Sequence, residues 1–95
     1  MQAQIILEQL GGNKFLAMTG SKNLVDMGNG LKMSLPKNQS KANGLEVTLN
    51  ESDTYNMKFY KITGANFTIK EEYQDIYASE LQTVFTEVTG LDTHL

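Results

Sequence analysis

The run "LEVTLN" at residues 45–50 alternates apolar and polar side chains without a break. In a strand, side chains two apart share a face, so Leu45, Val47 and Leu49 point one way and Glu46 and Thr48 the other. "ESD" at 51–53 then reads as a turn, and "YNMKFYKI" at 55–62 resumes the alternation. Tyr55, Met57 and Phe59 fall on one face, Tyr60 and Ile62 on the opposite one. After "TGAN", the run "FTIKEEY" at 67–73 alternates Phe67, Ile69 and Tyr73 with Thr68, Lys70 and Glu72, and Glu71 interrupts the apolar face. Strands joined by turns this short pair antiparallel, because parallel neighbours need a crossover of a dozen or more residues. An antiparallel meander with one apolar face follows.

"LVDMGNGLKMSL" at 24–35 is a further hairpin signal. A two-residue Asn29-Gly30 turn would set Met27 opposite Lys32 and Val25 opposite Ser34. A three-residue Gly28-Asn29-Gly30 loop would pair Met27 with Leu31 and Val25 with Met33. The second register gathers Val25, Met27, Leu31, Met33 and Leu35 on one face and is preferred for that reason. Gly30 would then be the left-handed residue of a bulge.

Helices are expected at both ends. "AQIILEQL" at 3–10 suits a short helix ended by Gly11, with Ile5, Ile6 and Leu10 docked on the rest. "NKFLAM" at 13–18 suits either a helical turn or a short strand, and "TGSKN" at 19–23 a turn. Asp75 is placed to cap "IYASELQTVFTEVTG". Tyr77, Leu81, Val84, Phe85 and Val88 make its apolar stripe, joined by Ile76, with Glu80, Thr83 and Glu87 on an outer ridge. Gly90 suits the position after the helix, with Leu91 reaching Phe85. The expected fold is one α+β domain over residues 1–95: a short N-terminal helix, an antiparallel sheet of four or five strands in a meander, and a C-terminal helix packed on one face. The other face would carry Lys32, Ser34, Glu46, Thr48, Asn56, Lys58 and Tyr60. "PKNQSKANG" at 36–44 joins two strands through nine residues, longer than an ordinary hairpin loop, and is expected to be a flexible protrusion.

The chain offers little chemistry. It has no cysteine, which removes disulfides, thiolate catalysis and cysteine-based zinc sites. His94 is the single histidine; next to a terminus expected to fray, it lacks the rigid hold that a Ser-His-Asp triad needs, and alone it is too few for a histidine metal site. Glu71, Glu72 and Asp75, and separately Glu51 and Asp53, lack EF-hand spacing and read as a helix start and a turn. Gly28-x-Gly30 lacks the rest of a dinucleotide fingerprint. The N-x-S/T matches at Asn38, Asn50 and Asn66 read as turn chemistry. No catalytic residue, cofactor or metal is assigned. "MQAQIILEQLGG" has neither a basic lead nor a long apolar run, and no segment approaches a membrane span, so a cytoplasmic protein without a membrane partner is expected.

Charge is unevenly spread. Residues 1–70 hold all eight lysines and five acids; residues 71–95 hold six acids and no lysine. Lys14, Lys22, Lys32, Lys37 and Lys41, with Asn38 and Asn43, form a lysine- and asparagine-rich segment over 14–43 that could meet phosphates. Lys58 and an exposed Tyr60 would add a neighbouring platform for a base or a protein contact. Arginine is absent, which counts against a dedicated DNA reader. The acidic C-terminal helix could instead neutralise the basic segment of a second copy and make a homodimer.

The segments "ILEQLGGNKFLAMTGSKN", "LPKNQSKANGLEVTLNESDTYNMKF" and "YASELQTVFTEVTGLDTHL" together resemble a family of small phage, prophage and mobile-element proteins, over nearly the whole chain. The resemblance implies an intracellular bacterial setting. It brings no activity and no catalytic residue, so Asp53, Thr54, Tyr55 and Gly90 gain no role from it. The expected function is a non-catalytic accessory or adaptor domain binding another protein in a phage or mobile-element setting. Nucleic-acid binding through the lysine-rich segment is the alternative, and carboxylate-based catalysis a distant third.

Overall fold

The computed structural model describes residues 2–91, and His94 lies outside them. Helices α1 (Gln2–Leu10) and α2 (Gly12–Thr19) precede strands β1 (Lys22–Asp26), β2 (Gly30–Ser34), β3 (Gly44–Leu49), β4 (Tyr55–Thr63) and β5 (Asn66–Ile76). A 3-10 turn (Ala78–Glu80) leads into α3 (Leu81–Thr89). The strands form one antiparallel sheet in sequence order, the expected meander with five strands. The ambiguous stretch 13–18 is helical.

The inward rows of the sheet meet the apolar stripes of the helices. Leu31, Met33, Leu45, Val47, Met57 and Phe59 pack with Ile6, Leu10, Phe15, Leu81 and Phe85 in one buried cluster. Phe85 ties the layers together, with its ring 5.0 Å from Phe15 and 6.4 Å from Phe59. On α1 the buried side chains are Ala3, Ile6 and Leu10, one face at helical spacing, which leaves Ile5 exposed rather than docked.

The first hairpin takes neither register that the sequence suggested. Asp26 stands opposite Leu31 and Val25 opposite Lys32. The Met27 N–H donates to the Gly30 carbonyl at 2.9 Å, closing a two-residue Gly28-Asn29 loop. Gly28, not Gly30, supplies the left-handed residue, at φ 85°. Gly30 lies in β2, paired with Thr48, where a Cβ would sit 2.3 Å from the Val47 carbonyl oxygen and only glycine fits. Val25 therefore faces the same side as Lys32, away from the helices, and both Val25 and Met27 are exposed.

Strand β5 changes phase part-way. Tyr60 pairs with Ile69 but Phe59 with Glu71, so Lys70 has no opposite residue. This bulge puts Phe67 and Ile69 on the helix-free face and Glu71 and Tyr73 on the other. The three apolar residues expected to share a face are thus divided. Glu71, which interrupts the pattern in sequence, marks the switch.

Asp75 does not cap a helix. It lies within β5 at φ 57°, and its carboxylate accepts hydrogen bonds from Asn50 Nδ2 and Thr54 Oγ1, each at 3.2 Å. The helical segment starts after Tyr77, whose N–H donates to Glu80 Oε1 at 3.2 Å. Tyr77 is exposed, while Leu81, Phe85 and Thr89 are buried, with Val84 and Val88 half-buried beside them. Gly90 ends α3 as expected, at φ 75°, its N–H donating to the Thr86 carbonyl at 2.8 Å.

The 36–44 segment folds back on the body instead of standing away from it. Asn38 Nδ2 donates to the Pro36 and Ala42 carbonyls at 2.8 and 2.9 Å, and Asn38 Oδ1 accepts from the Ser40 N–H at 3.0 Å. The Gln39 N–H donates to the Thr89 carbonyl at 3.1 Å, and Gln39 Nε2 to that of Glu87 at 3.1 Å. The last carbonyls of a helix lack partners within it; here the loop provides them.

Candidate functional site

All three helices share one side of the sheet, so the other side is uncovered. Pair by pair, the register lays Val25, Lys32, Glu46, Lys58 and Glu72 in one row across all five strands, with charge alternating from Lys32 onward. The next row reads Ser34, Gly44, Tyr60, Ile69, and beyond it Ile62 faces Phe67. A charged band therefore gives way to an apolar end.

Tyr60 is the centre of that end. It is only 3% exposed, not the open platform that alternation predicted. Gly44 makes room for it: a Cβ at Gly44 would lie 2.3 Å from two Tyr60 ring atoms. Phe67 stacks on the ring at 5.2 Å and 24°, and Lys32 Nζ sits 5.8 Å from its centroid. Burial, and then the nearby Glu46 carboxylate, raise the Tyr60 hydroxyl above its ordinary pKa. Around this buried ring, Ile62, Phe67 and Ile69 remain 45%, 56% and 46% exposed. Sequence reasoning missed all three as site residues. The Glu71 interruption was the signal for the phase change that exposes Phe67 and Ile69.

Two hollows adjoin this end. One, of about 370 Å³, is lined by Lys22, Lys32, Ser34, Tyr60 and Ile62 among others. The second, of about 390 Å³, is lined by Lys37, Lys41 and Lys61 over Leu35, Pro36 and Ala42. Leu35 and Asn43 line both. The structure thus divides the lysines: Lys22 and Lys32 line the first hollow and Lys37 and Lys41 the second, joined there by Lys61, which the sequence reading left out. Lys61 alternates with Tyr60 and Ile62 along β4 and so faces the helix side of the sheet. Lys14 is on α2 in the helical layer and does not line either hollow. Lys58 lies in the charged row, between Glu46 and Glu72.

The two asparagines have other work. Asn38 is saturated by its own loop. Asn43 clips β4, with Oδ1 accepting from the Ile62 N–H at 2.9 Å and Nδ2 donating to the Ile62 carbonyl at 2.8 Å. Neither amide is free to read a base edge.

The acidic groups that the sequence singled out do not converge. Glu71 and Glu72 point to opposite faces, and Asp75 is engaged with Asn50 and Thr54. Glu71, Tyr73 and Glu87 line a separate hollow of about 450 Å³ beside Gln39 and Ser40. There the Tyr73 hydroxyl donates to Glu71 Oε1 at 2.8 Å. That bond, with burial and the Glu71 and Glu87 charges, raises the Tyr73 pKa. Among the described residues, no group of three or more metal-ligating side chains occurs. No protein-family model matches the chain, and no curated protein and no solved structure matches it either.

Proposed function

We propose that this chain is a non-catalytic accessory or adaptor domain that binds another protein through the uncovered sheet face. The exposed trio Ile62, Phe67 and Ile69, set around the buried Tyr60, carries the reading. Covering the open 56% of Phe67 alone would contribute roughly 1–2 kcal/mol, against about 3 kcal/mol at most for burying a whole phenylalanine side chain. The sheet edges favour the face by default. β1 is five residues long and slips register near Asn23, while β5 is interrupted at Lys70 and again between its pairings at Met57 and Tyr55. Short, bulged and charged edges resist the addition of a further strand. The resemblance to small phage and mobile-element proteins supplies the setting in which such a partner would be sought.

Nucleic-acid binding is the second reading. It is favoured by the five lysines along the two hollows. It ranks lower because Tyr60 is already covered by Phe67 and because Asn38 and Asn43 are occupied. Affinity capture from the native host with wild-type and Phe67→Ser/Ile69→Ser chains separates the two. A protein retained by the wild type and lost with the variant is the expected outcome. Retention of nucleic acid alone, released by salt, would refute it.

A further inference from the structure

We infer that the partner of the uncovered face is a second copy of this chain, seated along the outward side of the β4–β5 ribbon; this rests on the protein-binding reading above. The strand register carries the inference. Three outward pairs stand across the ribbon: Lys58 with Glu72, Tyr60 with Ile69, and Ile62 with Phe67. In a two-fold dimer one patch meets itself, so each contact occurs twice with the residues exchanged. An axis along the seam between the two strands, midway between the facing sheets, lays β4 of one copy over β5 of the other. Each pair then lies on its own reverse. Lys58 faces Glu72 twice, Tyr60 faces Ile69 twice, and Ile62 faces Phe67 twice. Every charge meets its opposite, and every apolar side chain meets an apolar one. A Lys–Lys pair would repel its own reverse, and an Ile–Lys pair would set an ammonium on an isoleucine. In the middle row Tyr60 is buried, so Ile69 is the member that projects.

The rest of the face agrees with this occupant. The chain is net negative, yet the outward row holds two lysines, Lys32 and Lys58, and two acids, Glu46 and Glu72. Two copies therefore approach through it without net repulsion, whereas the two acids oppose a phosphate backbone. An axis parallel to the strands gives the aligned kind of sheet packing, about 10 Å from sheet to sheet. β4 has nine residues and β5 eleven, so the ribbon is a strip roughly 30 Å long and roughly 10 Å wide. That is less than the roughly 800 Å² per partner of a standard interface, which makes the dimer a weak one.

Sedimentation equilibrium of the full chain, up to about 1 mM, is the test. The wild type should populate a dimer within that range. Phe67→Ser/Ile69→Ser should weaken it at least about tenfold, through loss of apolar contact. Lys58→Glu and Glu72→Lys should each weaken it about tenfold, because two exposed pairs turn from attraction to repulsion. Mixed in equal amounts, those two chains should associate with each other at least as tightly as the wild type does with itself, since every crossed pair sets glutamate on lysine. A folding defect cannot produce that rescue, and circular dichroism checks that each variant is folded. A wild-type chain that stays monomeric, a dimer unchanged in Phe67→Ser/Ile69→Ser, or folded charge variants that do not pair on mixing would each overturn the inference. Capture of a different protein by a monomeric chain overturns the second copy alone and supports the protein-binding reading. A monomer that captures no protein overturns both.

Discussion

Replacing Gly44 by alanine should destabilise the fold by about 1–2 kcal/mol, and prior removal of Tyr60 should abolish that loss. The geometry sets the magnitude. The added methyl would meet the Tyr60 ring at 2.3 Å and its hydroxyl oxygen at 2.6 Å, far inside contact distance. The ring has no free direction in which to retreat, since Phe67 stacks on it at 5.2 Å and Tyr60 pairs directly with Gly44 across the strands. Overpacking of this kind costs about 1–3 kcal/mol. Against it, alanine restricts the unfolded chain and returns about 0.4–1 kcal/mol. Gly44 is not at positive φ, so no backbone penalty adds to the sum. Each net kcal/mol should lower the melting temperature by roughly 4–8 °C in a domain of this size. Urea denaturation followed by circular dichroism reads the change as a shifted midpoint at constant slope. In a Tyr60→Ala background the same substitution should be neutral or slightly stabilising. An equal loss in both backgrounds would refute the claim that Tyr60 lies over Gly44.

Phe85→Ala should cost about 3–5 kcal/mol, because it empties the contact between Phe15 and Phe59; thermal melting should show most of a small domain's stability gone. Asn38→Ala leaves the Pro36 and Ala42 carbonyls and the Ser40 N–H without their partner, so a loss of about 1–3 kcal/mol is expected. Hydrogen exchange at the Gln39 amide, bound to the Thr89 carbonyl, should accelerate in the same variant. Tyr60 is held neutral in the fold above the ordinary 10.0, so an unfolded chain ionises it first. The stability this gives is complete below about pH 10 and is lost as pH rises through the folded value. The urea midpoint should therefore fall more between about pH 9 and about pH 11 in the wild type than in Tyr60→Phe.

Local patterns revealed the sheet well. Alternation in 45–50 and 55–62 identified β3 and β4 and their inward residues, and Gly90 marked the end of α3. The misses have tertiary causes. The Gly28-Asn29 loop goes with Gly30 pairing in β2 against β3, where it approaches Val47 too closely for any side chain, and no local rule contains that neighbour. The phase change at Lys70 was hidden because a bulge leaves composition untouched. Its trace was the charged Glu71 in an apolar row. Tyr60 was read as exposed because alternation assigns a face but cannot say that a glycine opposite, and a phenylalanine on the next strand, will cover the ring. Counting lysines located four of those that line the two hollows, yet Lys61 comes from β4 and joins Lys37 and Lys41 only through folding. Asn38 and Asn43 looked free in sequence because their partners are backbone groups, which composition never displays.

Position-specific photocrosslinking in the native host tests the central claim most directly. A benzophenone side chain at position 67 probes the uncovered sheet face, and one at exposed Thr83 on α3 serves as the control. A discrete, nuclease-resistant protein adduct is expected from position 67 and none from position 83. An adduct from position 83 alone, or a nucleic-acid adduct from position 67, would contradict it.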